Sequence, residues 1–74
     1  MKRVILYSTA RCPYCQIAKR YLEQQGICYR LCDVNTAKGR KEFSTTGLQS
    51  VPVLKVGEQL MKGFSVKQFK KLYD

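Results

Sequence analysis

Two cysteines, Cys12 and Cys15, enclose Pro13-Tyr14 and stand between an apolar run and a segment of helical periodicity. In that context the spacing is that of a redox dithiol. Two intervening residues put Cys15 in the first helical turn behind Cys12, near enough for a disulfide to form and break. Cys12 falls at the helix N-terminus, where unpaired N–H groups and the positive dipole end favour a thiolate. Arg11 adds a cation beside it. Pro13 takes the first helical position, where no N–H is needed and φ is already helical.

Two further cysteines, Cys28 and Cys32, permit a competing arrangement in which all four thiols hold zinc. Geometry opposes it if both lie on one strand. Four residues of strand separate them by ~13 Å, too far for two thiolates each ~2.3 Å from one metal ion, and too far for a mutual disulfide. Cys28 and Cys32 are therefore expected to pack one sheet face as small hydrophobes.

The elements that must position the dithiol follow from periodicity. Val4 to Tyr7 reads as a strand buried on both faces. Ile17, Ala18, Tyr21 and Leu22 recur at helical spacing from Pro13 onward, and Gly26 supplies a C-terminal stop. Ile27 to Val34 reads as a second strand, with Ile27, Tyr29 and Leu31 on one face and Cys28, Arg30 and Cys32 on the other. A helix between consecutive strands favours a parallel, right-handed crossover. Asn35 is the expected cap of a weaker helix through about Thr45, interrupted by Gly39, carrying one large apolar residue, Phe43, and closed by Gly47. Val51–Val56 and Gln59–Lys62 flank Gly57-Glu58, which suits a type II′ hairpin. Ser65-Val66-Lys67-Gln68 fits a capping box before a helix with Val66, Phe69, Leu72 and Tyr73 on one face. The fold class is α/β: βαβαββα, a four-stranded mixed sheet flanked by three helices, in one domain over residues 1–74.

Composition bounds the partners. The 74 residues can bury only roughly 60 % of the surface that the unfolded chain exposes, so the core is shallow. Fourteen Lys and Arg against five Asp and Glu give a net charge of +9, which favours acidic partners. The basic residues are spread along the chain without a nucleic-acid motif, so no nucleic-acid partner is expected and an acidic protein fits better. No segment approaches the ~18 apolar residues of a membrane span, and the apolar run after Met1-Lys2-Arg3 is too short for a signal peptide. The expected setting is cytoplasmic, where thiols stay reduced, and the expected state is a monomer.

Cys12-Pro13-Tyr14-Cys15, the Val51-Pro52 dipeptide before a hairpin and the Gly63-containing turn into the last helix together resemble a glutaredoxin of the thioredoxin superfamily, over essentially the whole chain. The resemblance implies a thioredoxin-like fold with Val51–Pro52 cis and facing the dithiol, and the Val51 backbone free to pair with an extended substrate. It implies thiol–disulfide exchange, with Cys12 and Cys15 catalytic, no bound cofactor, and glutathione as co-substrate. The implied binding surface comprises Arg11, Tyr14, Val51, Pro52, Gly63, Phe64 and Ser65. Gly63 also suits a positive φ, and Ser65 a helix cap.

Two family features are absent. Lys62-Gly63-Phe64-Ser65-Val66 lacks the acidic residues that hold the glutamyl end of glutathione, and Thr9 stands where many glutaredoxins carry a lysine. Arg11 or Lys62 can serve as the carboxylate partner instead. The Gly-Phe-Ser turn and short length resemble NrdH-type redoxins, electron donors to ribonucleotide reductase recharged by thioredoxin reductase, although those typically lack the Pro-Tyr pair. The outside alternative is a zinc- or nucleic-acid-binding module.

Overall fold

A computed structural model describes residues 3–73. The elements are β1 (Val4–Ser8), α1 (Pro13–Gln24), β2 (Arg30–Asp33), α2 (Ala37–Ser44), β3 (Val53–Val56), β4 (Gln59–Lys62) and α3 (Val66–Tyr73). The sheet order is β2-β1-β3-β4, with β1–β2 parallel and the β1–β3 and β3–β4 pairs antiparallel. Strand β1 is central, which accounts for its apolar residues on both faces.

Each face has its own core. On one, Val4, Leu6, Leu54, Val56 and Met61 meet Ala18 and Leu22 of α1 and Phe69 of α3. On the other, Tyr7, Cys32 and Val53 lie against Phe43 of α2 and Leu48. Burying each such Leu, Val or Phe side chain contributes about 1.5–3 kcal/mol, so these few residues dominate so small a core. Tyr21, Phe64, Phe69 and Tyr73 extend the first core as an aromatic cluster with ring centroids 5.4–5.9 Å apart.

The helix ends obey local chemistry. Gly26 has φ +67°, its N–H donates to Glu23 O, and the Ile27 N–H donates to Leu22 O at 3.0 Å, which together close α1 in a Schellman motif. That closure explains why β2 is shorter than the expected 27–34. The Ile27 N–H is engaged by the helix, and pairing with β1 begins only at Arg30. Cys28 consequently precedes the strand and is exposed, contrary to its expected place on a sheet face; Cys32 alone is buried there. Leu31 points from the outer strand into solvent.

Thr36, not Asn35, caps α2: its Oγ1 accepts the Gly39 N–H at 2.9 Å, while the Asn35 N–H is held by Asp33 Oδ1. Gly39 is a packing requirement rather than an interruption. A Cβ there would overlap Asp33 O and lie 2.6 Å from Asp33 C, because the first turn of α2 crosses directly over the end of β2. Gly57 has φ +62° and Glu58 a negative φ, as the type II′ turn requires. Strand β3 begins at Val53, leaving Val51 and Pro52 as the approach to it.

Candidate functional site

The dithiol forms where β1 leaves the sheet and turns into α1. The Cys12 N–H donates to Thr9 O at 3.4 Å, and Cys12 takes the extended backbone of an N-cap, φ −92° and ψ 113°. An N-cap side chain must accept an N–H from the first turn, a task Ser, Thr, Asp or Asn oxygen usually performs. Here sulfur performs it: Cys12 Sγ accepts the Cys15 N–H at 3.3 Å. Pro13 at the first helical position leaves one fewer N–H to satisfy. The local sequence thus aims a backbone dipole at the Cys12 sulfur.

The two thiols differ in environment. Cys12 is half-buried, whereas Cys15 is only 2 % exposed. Burial, followed by the hydrogen bond to Cys12, pushes the Cys15 thiol up to about 11. At neutral pH Cys15 is therefore a thiol, and its N–H supports the sulfur in front of it.

The Val51–Pro52 bond is cis, as the resemblance implied. The Cys12 thiol donates weakly to Val51 O at 3.8 Å, and the Gly63 N–H donates to Pro52 O at 2.8 Å. These two contacts join the start of α1, the approach to β3 and the turn after β4 into one surface. Gly63 has φ +78° with open space around its missing Cβ, so conformation rather than close approach requires glycine there. Phe64 is half-buried against Tyr21, at 5.5 Å between centroids, and belongs to the core as well as to the turn. Ser65 caps α3: its Oγ accepts the Gln68 N–H at 3.4 Å and its carbonyl accepts the Phe69 N–H at 2.8 Å. Tyr14 is two-thirds exposed, and Arg11 and Lys62 are exposed at the margin.

On the opposite side of the dithiol from Val51, a hollow of about 180 Å³ runs between Cys15, Gln16 and Lys19 of α1 and Thr9, Leu31 and Asp33. Sequence reasoning did not assign Thr9 a role. Its carbonyl fixes the turn into Cys12, and nothing in the residue type signals that.

Cys28 and Cys32 lie apart from this surface. Cys32 sits under α2, where its thiol donates to Gly39 O at 3.7 Å and Glu42 Oε2 at 3.6 Å. Burial and then Glu42 hold it in the thiol form. Glu42 is in turn paired with Arg30 at 2.8 Å. Among the described residues no group of three or more His, Cys, Asp or Glu is arranged to hold a metal ion. Nor does any described helix have the length and apolarity to cross a membrane.

Comparison with known proteins agrees with this geometry. The family model described as glutaredoxin matches residues 4–61 and so stops just short of the Lys62–Val66 turn. A glutaredoxin-like protein encoded in the rubredoxin operon of Clostridium pasteurianum is 36 % identical over 73 residues, covering 93 % of this chain and 95 % of its own. The crystal structure of a thioredoxin-like protein mutant superimposes with a TM-score of 0.87 at 26 % identity, covering 97 % of this chain and 95 % of the other. NrdH-redoxin from Escherichia coli superimposes with a TM-score of 0.81 at 22 % identity, covering 97 % and 96 %, a likeness of fold. A thioredoxin-like sheet, a dithiol at the head of its first helix and a family match across more than three quarters of the chain lead to one conclusion: this protein belongs to the glutaredoxin family, whose members are thiol–disulfide oxidoreductases.

Proposed function

We propose that the chain reduces protein disulfides and glutathione mixed disulfides, with Cys12 as nucleophile and Cys15 as resolving thiol. The observation that carries this reading is the asymmetry of the pair. Cys12 Sγ receives a backbone N–H at a helix N-terminus, and Cys15 is buried and held protonated. In the first step the Cys12 thiolate attacks a substrate disulfide, a new S–S bond forms at Cys12, and one substrate sulfur leaves as thiolate. Two exits follow. Cys15, after losing its proton, attacks Cys12, releases the second substrate thiolate and leaves the Cys12–Cys15 disulfide. Alternatively, when Cys12 carries glutathione, a second glutathione thiolate attacks that glutathione's sulfur, frees Cys12 and leaves as glutathione disulfide.

Glutathione is assigned to the surface of Val51, Pro52 and the Gly63-Phe64-Ser65 turn, with Arg11, Tyr14 or Lys62 at its margin. Backbone N–H groups of Ser65 and Val66 at the start of α3 suit a carboxylate. Without the acidic anchor, one charge-assisted contact of ~1.5–3 kcal/mol is lost, which weakens affinity about 10- to 150-fold without removing the reaction.

Two substitutions test the assignment. Cys12→Ser abolishes all exchange. Cys15→Ser loses protein-disulfide reduction and accumulates mixed disulfides at Cys12, visible as an adduct by mass spectrometry. Alkylation of Cys15 faster than Cys12 at mildly acidic pH would reverse the roles.

The acid-free Lys62–Val66 turn favours a second reading, an NrdH-type donor recharged by thioredoxin reductase and serving ribonucleotide reductase. NADPH-coupled recycling decides between them. Turnover with glutathione and glutathione reductase supports the first reading, and turnover only with thioredoxin reductase replaces it with the second. The dithiol chemistry stands in either case.

A further inference from the structure

Among the described residues, one sheet face is only half covered. Helix α2 lies over the row Cys32–Tyr7–Val53, where the Phe43 and Tyr7 rings are 5.6 Å apart. The next row in register is Arg30–Ile5–Lys55–Leu60, running across all four strands. Strand alternation places these side chains on the same face as Tyr7, and three strand spacings make the row roughly 14 Å wide. Arg30 and Leu60 are exposed, Leu60 by 40 %, and Ile5 and Lys55 are half-buried. Beyond Ile5 the exposed Arg3 adds another cation, its carbonyl accepting the Gly57 N–H at 2.8 Å. A hollow of about 620 Å³ opens at the sheet's end between Arg3, Ile5 and Arg30 of this row and Val4, Tyr29 and Tyr73, which pack with the opposite core. It lies at the end of β1 away from the dithiol.

The row alternates cation and aliphatic. Arg30 is paired with Glu42, yet a guanidinium has five N–H donors and Glu42 occupies one side of it. Lys55 lies between Ile5 and Leu60, with the hairpin carboxylate Glu58 at the turn below. A purely solvated charged face would need no exposed Leu60 beside Ile5, and a surface for single-stranded nucleic acid would carry exposed rings for stacking, whereas Tyr7 on this face is buried under α2.

We propose that the open row Arg30–Ile5–Lys55–Leu60, with Arg3 at its edge, is a docking surface for an acidic protein partner that presents aliphatic side chains flanked by carboxylates. It is separate from the dithiol surface, so a partner seated there leaves Cys12 free for exchange. The net charge of +9 supplies long-range attraction, and the register supplies the pattern that selects among acidic surfaces.

The test uses the full chain and a labelled synthetic peptide alternating Asp with Leu and Val, read by fluorescence anisotropy. A peptide with Lys in place of Asp and a ten-residue oligothymidylate are the comparison probes. The acidic peptide is expected to bind saturably, more weakly as salt rises. Lys55→Glu should weaken it at least tenfold and improve binding of the lysine peptide, and Leu60→Ser should weaken it at least threefold. Lys70→Glu, on α3 across the sheet, carries the same charge change and should alter affinity less than twofold. Dithiothreitol-driven reduction of a small disulfide, unchanged in all three variants, reports that each is folded. The proposal is overturned if the acidic peptide does not saturate, if Lys70→Glu weakens it as much as Lys55→Glu, or if oligothymidylate binds more tightly.

Discussion

Burial of Cys15 should make resolution of the Cys12 mixed disulfide steeply dependent on pH. With its thiol pushed up to about 11, about one Cys15 in 10,000 is ionised at pH 7, and each pH unit raises that fraction tenfold. Forming the mixed disulfide removes the part of the shift that comes from Cys12. Burial, the largest cause, remains because Cys15 is only 2 % exposed. Release of a coloured aromatic thiolate from a preformed Cys12 mixed disulfide, followed by stopped-flow absorbance, should therefore accelerate about tenfold per pH unit between pH 7 and 9. A Cys15→Ser variant should show no such release. Release independent of pH over that range would mean that Cys15 is already ionised and that its burial does not govern the exit step.

The same burial affects stability: a thiol kept neutral in the folded state leaves stability intact below the ordinary thiol range, and stability is lost as pH rises through about 11. Urea midpoints should fall between pH 9 and 11 and fall less in Cys15→Ala. For Glu42, which Arg30 holds below the usual carboxylate range, the sign is opposite: its stabilisation is present at neutral pH and lost as pH falls through that lowered value, and Glu42→Gln should flatten the acid limb of the urea curve. Gly39→Ala sets a helix-propensity gain of about 1 kcal/mol against overlap with Asp33 backbone. Overpacking of backbone costs about 1–3 kcal/mol or more, so thermal denaturation should show net destabilisation, and an unchanged or higher Tm would refute the close approach of α2 to β2. Phe69→Ala should cost about 3–5 kcal/mol, a large share of the stability of a domain this small, measured by urea unfolding.

Local chemistry made the dithiol legible in the sequence. Cys12, Pro13 and Cys15 are close along the chain, and the N-cap geometry that directs the Cys15 N–H at Cys12 depends on a single helical turn. The same holds for α1 with its Gly26 stop, for the Gly57-Glu58 hairpin and for the Ser65 cap, each decided by residues within five positions of one another. The tertiary structure decided what depends on distant segments. Strand β1 sits between β2 and β3, bringing Val51 O to Cys12 across 39 positions. Gly39 is needed only because α2 crosses Asp33, and sequence periodicity registers such a glycine as a weakness. Cys28 and Cys32 look alike in the sequence, yet one is exposed and the other buried, because the Schellman closure of α1 takes up the Ile27 N–H and delays the strand to Arg30. Spacing along the chain specifies which groups can meet within a turn; only the packing of the sheet against its helices determines which of the remaining groups meet at all.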